Sequence, residues 1–177
     1  MYLWVACDVD NQLKDFRNQI SEISNQFKIN NPALTLPLHI SLRISFYVNE
    51  NILENVIEYI LNYYSTLKSF EVEINKIEKH ENIIWFKIKE NSYLEKIHFE
   101  LVNLLQENFN IGYHEFDKDF LFHITLFNPE DNSILDKVYE KIISKDFPKK
   151  IFIDKFILGC SSSGKASEYN VIKEVFV

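Results

Sequence analysis

LPLHISLRISF, residues 36–46, alternates apolar and polar side chains almost without a break. Neighbouring side chains of a strand point to opposite faces, so this spacing predicts a strand over 37–47. Leu38, Ile40, Leu42, Ile44 and Phe46 then form its core face, while His39, Ser41, Arg43 and Ser45 share the other. An imidazole beside a hydroxyl on a rigid element is either an ordinary wet strand face or the floor of a site. The rest of the chain bears on which.

FLFHITLF, residues 120–127, repeats the arrangement, with Phe122, Ile124 and Leu126 on one face and Leu121, His123, Thr125 and Phe127 on the other. HISL at 39–42 thus returns as HITL at 123–126, and the surrounding sequence returns with it. YLWVA (2–6) pairs with IIWFK (83–87), NILENVIEYI (51–60) with SILDKVYEKI (133–142), and INKI (74–77) with IDKF (153–156). Offsets of about 80 residues are too long for a solenoid and imply two similar lobes facing each other. One histidine in this apolar and hydroxyl frame arises by chance about 1 time in 100, and two of five do so roughly 1 time in 1,000. A pseudo-twofold axis brings His39 and His123 to one groove.

Periodicity predicts strands over 2–8, 37–47, 70–78, 82–89, 120–127, 149–158 and 168–176, and helices over 10–28, 50–65, 92–109 and 131–144. The first helix rests on Leu13, Phe16, Ile20, Ile23 and Phe27. With three glycines, four prolines and no linker composition in 177 residues, the chain reads as one bilobal domain, 1–177. The fold class expected is α+β: two pseudo-symmetric lobes of antiparallel sheet, helices on their outer faces, and a cleft between them.

A net charge of −7 and a pI near 5.3 argue against coating of long nucleic acid, which needs a broad basic surface. A small anion or an RNA end needs only local donors. The opening MYLWVACDVD is too short an apolar run for a membrane span and lacks the basic start of a secretory signal, so no membrane partner and a cytoplasmic location are expected. Cys7 and Cys160 stand singly in apolar stretches and read as buried free thiols.

Other polar groups have plainer readings. His80 falls in a turn, His98 on a helix and His114 in a loop, where surface or capping roles are expected, and none has metal-ligand spacing. HEFDKDF (114–120) lacks the pattern of a calcium loop. GCSSSGKA (159–166) nearly spells a phosphate-cradling loop, but Ala166 replaces the required hydroxyl and a strand follows, so it reads as a hairpin loop bordering the groove through Lys165.

The paired H-x-[S/T]-x motifs and the opening WVACDVDNQLKDF (4–16) resemble the 2H phosphoesterase superfamily over essentially the whole chain. That superfamily includes 2′,5′ RNA ligase-like proteins and 2′,3′-cyclic phosphodiesterases. The resemblance implies that His39 and His123 act as acid and base while Ser41 and Thr125 hold the phosphate, with no cofactor and no metal. Two imidazoles on opposite sides of phosphorus suit this chemistry, because each exchanges a proton near neutral pH. The substrates implied are 2′,3′-cyclic phosphate ends or 2′,5′ linkages of RNA or oligonucleotides, with reverse ligation open. Hydrolysis of cyclic di- or oligonucleotide signals, or binding of nucleotides or RNA ends without turnover, are the alternatives. From their strand faces, Arg43 is a candidate phosphate or base contact and Phe127 a candidate stacking surface.

Overall fold

The computed structural model describes residues 1–177, the side chain of Ala166 excepted. Its first strand, β1 (Tyr2–Asp8), is buried along almost its whole length and lies between β2 (His39–Tyr47) and β7 (Lys155–Ser161). The hairpin partner of β7, β8 (Asn170–Phe176), completes a four-stranded sheet of order β2-β1-β7-β8. A second sheet of order β5-β4-β3-β6 is built from β3 (Phe70–His80), β4 (Ile83–Ile88), β5 (His123–Phe127) and β6 (Lys150–Ile153). Every pairing is antiparallel. The α+β, two-sheet expectation matches this architecture.

Helices α1 (Lys14–Phe27), α2 (Leu53–Ser65), α3 (Ser92–Phe109) and α4 (Leu135–Ile142) are amphipathic and each turns an apolar face inward. α1 buries Phe16, Ile20 and Ile23, and ends where Lys28 adopts a left-handed conformation whose N–H returns to the Ser24 and Asn25 carbonyls. The first helix starts at Lys14 rather than residue 10, because the Asp10 carboxylate accepts the Leu38 N–H and the Arg17 guanidinium instead of joining a helical turn. The last helix is similarly shorter than 131–144, a 3₁₀ turn at Asn132–Ile134 preceding it. One continuous core, including Val5, Ile20, Phe86, Leu101, Ile124 and Phe156, is shared by both sheets and the helices. The opposite face of the first sheet carries a smaller cluster of Trp4, Ala6, Ile157 and Tyr169.

The strand expected over 149–158 is in fact two. The ladder breaks at Asp154, whose carbonyl accepts the Val177 N–H, and the chain changes sheets there: β6 pairs with β3, and β7 pairs with β1. Apolar residues flanking Asp154 and Lys155 conceal the switch, since Ile151, Ile153, Phe156 and Leu158 are all buried on either side of it.

Both motif strands carry the same irregularity. Ala6 pairs with Ser41 but Val5 with Arg43, so Leu42 is an extra residue; Trp85 pairs with Thr125 but Ile84 with Phe127, so Leu126 is extra. A bulge turns the residue that follows it through the sheet. Leu42 and Arg43 are consequently both buried, as are Leu126 and Phe127. Arg43 and Phe127 therefore leave the groove face on which simple alternation puts them, and Ile44 takes a place at the groove instead.

Register also corrects the repeat. His39 faces Asp8 across the ladder and His123 faces Lys87, and Phe156 lies opposite Cys7 as Ile77 lies opposite Phe86, so INKI and IDKF are true counterparts. Ala6, not Trp4, is the counterpart of Trp85, so YLWVA and IIWFK align two residues out of step.

Trp4 is seated on a glycine. Opposite it on β7 lies Gly159, where an added Cβ would come within 2.6 Å of the indole. Gly159→Ala is expected to cost about 1–3 kcal/mol, the usual range for overpacking, and to shift tryptophan emission. Urea unfolding followed by fluorescence checks both, and an unchanged midpoint would mean that Trp4 does not rest there.

Candidate active site

The groove over the smaller apolar cluster has a volume of about 280 Å³ and is lined by His39, Ser41 and Thr125 together with Trp4, Leu36, Ile44, Ser45, Asn128 and Tyr169. Three of the four motif side chains, from two different sheets, thus meet in one hollow. His123, on the same alternating face of β5 as Thr125, instead lines a separate hollow of about 340 Å³, so the two imidazoles do not share a single groove as the repeat predicted.

The two imidazoles are held alike. Nδ1 of His39 is 2.7 Å from the Pro37 carbonyl oxygen, and Nδ1 of His123 is 2.7 Å from that of Leu121. A carbonyl only accepts, so each ring carries its proton on Nδ1 and keeps the Nε2 lone pair for chemistry. An indole packs on each ring: Trp4 edge-on to His39 at 4.4 Å, and Trp85 tilted over His123 at 4.3 Å. The Trp4 indole also donates to Ser41 Oγ at 3.1 Å, which occupies a lone pair of the hydroxyl and leaves its hydrogen to be donated to a ligand.

Burial pushes the His39 pKa down to about 4; the Pro37 carbonyl opposes this, and the charge of His123 adds to it. Burial likewise lowers His123, with the Leu121 carbonyl opposing and the charge of His80 adding. The charge of His123 thus reaches His39 across the two sheets. Both shifts favour the neutral ring in the free protein.

Polar contacts fix the chain leading into each motif strand. Ahead of β2, Arg17 donates to Asp10 (2.6 Å) and to the Leu36 (2.9 Å) and Leu34 (2.7 Å) carbonyls. Ahead of β5, Asp117 accepts the His114 N–H at 2.7 Å, and His98 bridges the Leu42 and Asp117 carbonyls at 2.6 and 2.9 Å. His98 is therefore a buried tie between the two motif regions rather than a surface residue; His114 is a cap, accepting the Phe116 N–H. Arg43 is 1 % exposed, donates to the Gly112 carbonyl, and lies 3.8 Å from Asp117. Phe127 is a core residue. Neither touches the groove. Lys165 is exposed beside Glu168, while Gly164 and Tyr169 bring the hairpin loop to the groove. Among the described residues no three His, Cys, Asp or Glu side chains are grouped to hold a metal ion, and no helix is long and apolar enough to cross a membrane.

Sequence reasoning overlooked Trp4, Ile44, Tyr169 and His80. The recurrence of a tryptophan in YLWVA and IIWFK carried a signal for Trp4, although the two are out of step in the structure. Ile44 depended on the bulge, and Tyr169 had no pattern at all.

Two outcomes follow from these contacts. Truncating Arg43→Ala is expected to destabilise the fold by about 3–5 kcal/mol, because it strands a buried carboxylate; a substrate contact would instead raise KM at unchanged stability, and denaturation beside kinetics separates the two. His39 binds its proton less tightly folded than unfolded. Above its ordinary pKa of 6.5 it costs nothing; as the pH falls from there toward about 4, only the unfolded chain takes up the proton and stability declines. His39→Gln is expected to flatten that part of a stability–pH curve relative to the parent protein.

The family model described as the 2′-5′ RNA ligase superfamily matches residues 5–159. No curated protein matches the chain in sequence. Among solved structures, a phosphoesterase superposes with a TM-score of 0.61 at 15% identity, covering 99% of this chain and 98% of its own. E. coli LigT complexed with 3′-AMP gives 0.59 at 16% identity, with 99% and 96% covered. Usb1 of Kluyveromyces marxianus gives 0.54 at 13% identity, with 99% and 97% covered. These likenesses share the arrangement of two sheets around a groove; with the family match extending from β1 into β7, the chain belongs to the 2′-5′ RNA ligase superfamily, the phosphoesterase and ligase-type enzymes also called 2H phosphoesterases.

Proposed function

We propose that the protein is a phosphoesterase that opens 2′,3′-cyclic phosphate ends or cleaves 2′,5′ linkages of RNA or oligonucleotides, using His39 and His123 as base and acid. The observation that carries this reading is the matched pair of imidazoles, each with Nδ1–H tied to the carbonyl two residues upstream and Nε2 left for proton transfer. The complex of E. coli LigT with 3′-AMP supports a nucleotide substrate on this fold.

In hydrolysis of a cyclic phosphate, His39 Nε2 takes a proton from water as its oxygen bonds to phosphorus. His123, protonated, gives its proton to the ribose oxygen as the P–O bond breaks, leaving a phosphomonoester and a free hydroxyl. We assign His39 as the base because burial pushes its pKa down to about 4, keeping its lone pair free. A bound phosphate supplies the negative charge that raises the pKa of His123, and the indole face of Trp85 favours the resulting cation. Ser41 and Thr125 hydroxyls donate to the non-bridging oxygens, where charge builds in the transition state. Reverse ligation exchanges the two roles. Acid, base and oxyanion contacts are all supplied by side chains, so the reaction written here has no step for a metal.

Substituting either His39 or His123 by alanine is expected to lower kcat/KM at least about 100-fold, the low end for a positioned acid or base; chromatography of 2′,3′-cyclic mononucleotides and 2′,5′ oligomers reads the loss. A single variant with near-parental activity overturns the assignment, and EDTA is expected to leave the rate unchanged. Because both free-protein imidazoles are shifted downward, the bell-shaped kcat/KM profile is expected to lie on the acid side of 6.5. The acid limb marks protonation of the base and the alkaline limb loss of the acid's proton. A profile centred above 6.5 would place the proton transfers on other groups.

A further inference from the structure

The rings of His80, Trp85 and His123 lie in a row across three neighbouring strands. Glu81, with φ at 48°, makes the tight turn of the β3–β4 hairpin and leaves His80 opposite Ile83 at the end of the ladder. Trp85 stands opposite Glu78 on one side and Thr125 on the other, so His80 and His123 are its diagonal neighbours on the same face of the sheet. Because β4 runs between β3 and β5, the two imidazoles flank the indole from opposite sides. His80 lies on it at 4.7 Å with the planes 11° apart, and His123 at 4.3 Å with the planes 38° apart. The indole is buried, whereas His80 is open to solvent.

We propose that His80 is a positioning residue for the acid, a charge placed across Trp85 that keeps the two imidazoles from being protonated together. The inference rests on the reading of His123 as acid given above. A single indole draws a cation to either side, but two imidazolium rings flanking it repel each other. The other charged groups around His123 are Lys87, opposite it in the ladder, Glu78, Lys89, Glu90 and Glu95 about its hollow, and His39 across the two sheets. Glu78 is shared by Lys76 at 3.0 Å and Lys87 at 4.0 Å, and Lys89 pairs with Glu73, so these charges are matched in place. His80 is the neighbour whose charge makes His123 bind its proton less tightly.

Burial opposes a proton on His123 at every pH, whereas the part contributed by His80 exists only while that ring is charged. Histidine changes charge between pH 5 and 8, so this part fades as the pH rises through that range. Where His80 is charged, His123 is harder to load and, once loaded, gives its proton up more readily. The negative charge of a phosphate at the motif offsets the repulsion, which leaves loading of the acid to the ligand. Taking the charge off His80 strengthens the hold of His123 on its proton and moves the loss of that proton to higher pH.

The test follows the titration of the His123 ring by NMR in His80→Phe, which keeps a flat ring without charge, and in His80→Arg, which stacks and stays charged at every pH. The midpoint is expected about half a pH unit higher in His80→Phe than in His80→Arg, the effect of one charge beyond an indole in largely wet surroundings. The alkaline limb of kcat/KM on 2′,3′-cyclic mononucleotides is expected to move with it, while the acid limb, set by His39, stays in place. Equal midpoints in the two variants overturn the proposal. A ring that merely props Trp85 would change the rate at all pH values without moving the alkaline limb, and that result also overturns it. A parent protein that turns over neither cyclic phosphates nor 2′,5′ oligomers overturns the phosphoesterase reading instead, and the two NMR midpoints then still decide whether the rings are coupled.

Discussion

Two imidazoles act on one phosphorus only if β2 and β5, which belong to different sheets, are held side by side. Buried polar contacts impose that neighbourhood. Asn31, just ahead of the first motif, donates to the Leu126 carbonyl at 2.8 Å and accepts the Asn128 N–H at 3.2 Å. His98 and Arg43 tie β2 to the loop that leads into β5. Apolar packing alone tolerates sliding between surfaces; directional bonds between buried groups do not, because a slip would leave them unsatisfied. Several of these residues lie far from any substrate, yet the alignment of the motif strands rests on them.

The same logic explains why the site is buried enough to disfavour charge on its own histidines. An imidazole with a free lone pair is a ready base, while the other needs a proton that the free protein does not readily hold there. In the proposed reaction a bound phosphate changes this balance, so protonation of His123 goes with the arrival of the ligand. Water entering the groove ahead of substrate therefore meets a base without its acid partner.

The places of His39, Ser41, His123 and Thr125 on one alternating face of each motif strand were legible because period-two alternation and a long-range repeat are both properties of the sequence itself. Arg43 and Phe127 were misread for one shared reason: a bulge is a relation between a strand and its partner, and nothing within RISF or TLF announces it. The change of sheet at Asp154 was hidden likewise, since apolar residues on both sides are demanded by two different cores. His80 looked like an unremarkable turn residue because its significance comes from the tryptophan across the hairpin. Local pattern thus exposed the motif residues, while pairing decided which neighbours surround them.

The passage of the chain at Asp154 has one more effect. The sheet bearing His39 joins the earliest strands, β1 and β2, to the latest, β7 and β8, whereas the sheet bearing His123 is made wholly from strands between them. During synthesis the second sheet has all its strands first, and Trp4 lacks its glycine seat and its tyrosine wall until β7 and β8 emerge. A nascent chain that has not reached β7 accordingly carries both histidines without a formed hollow around the first, so the groove at His39 is completed only once the β7–β8 hairpin has left the ribosome.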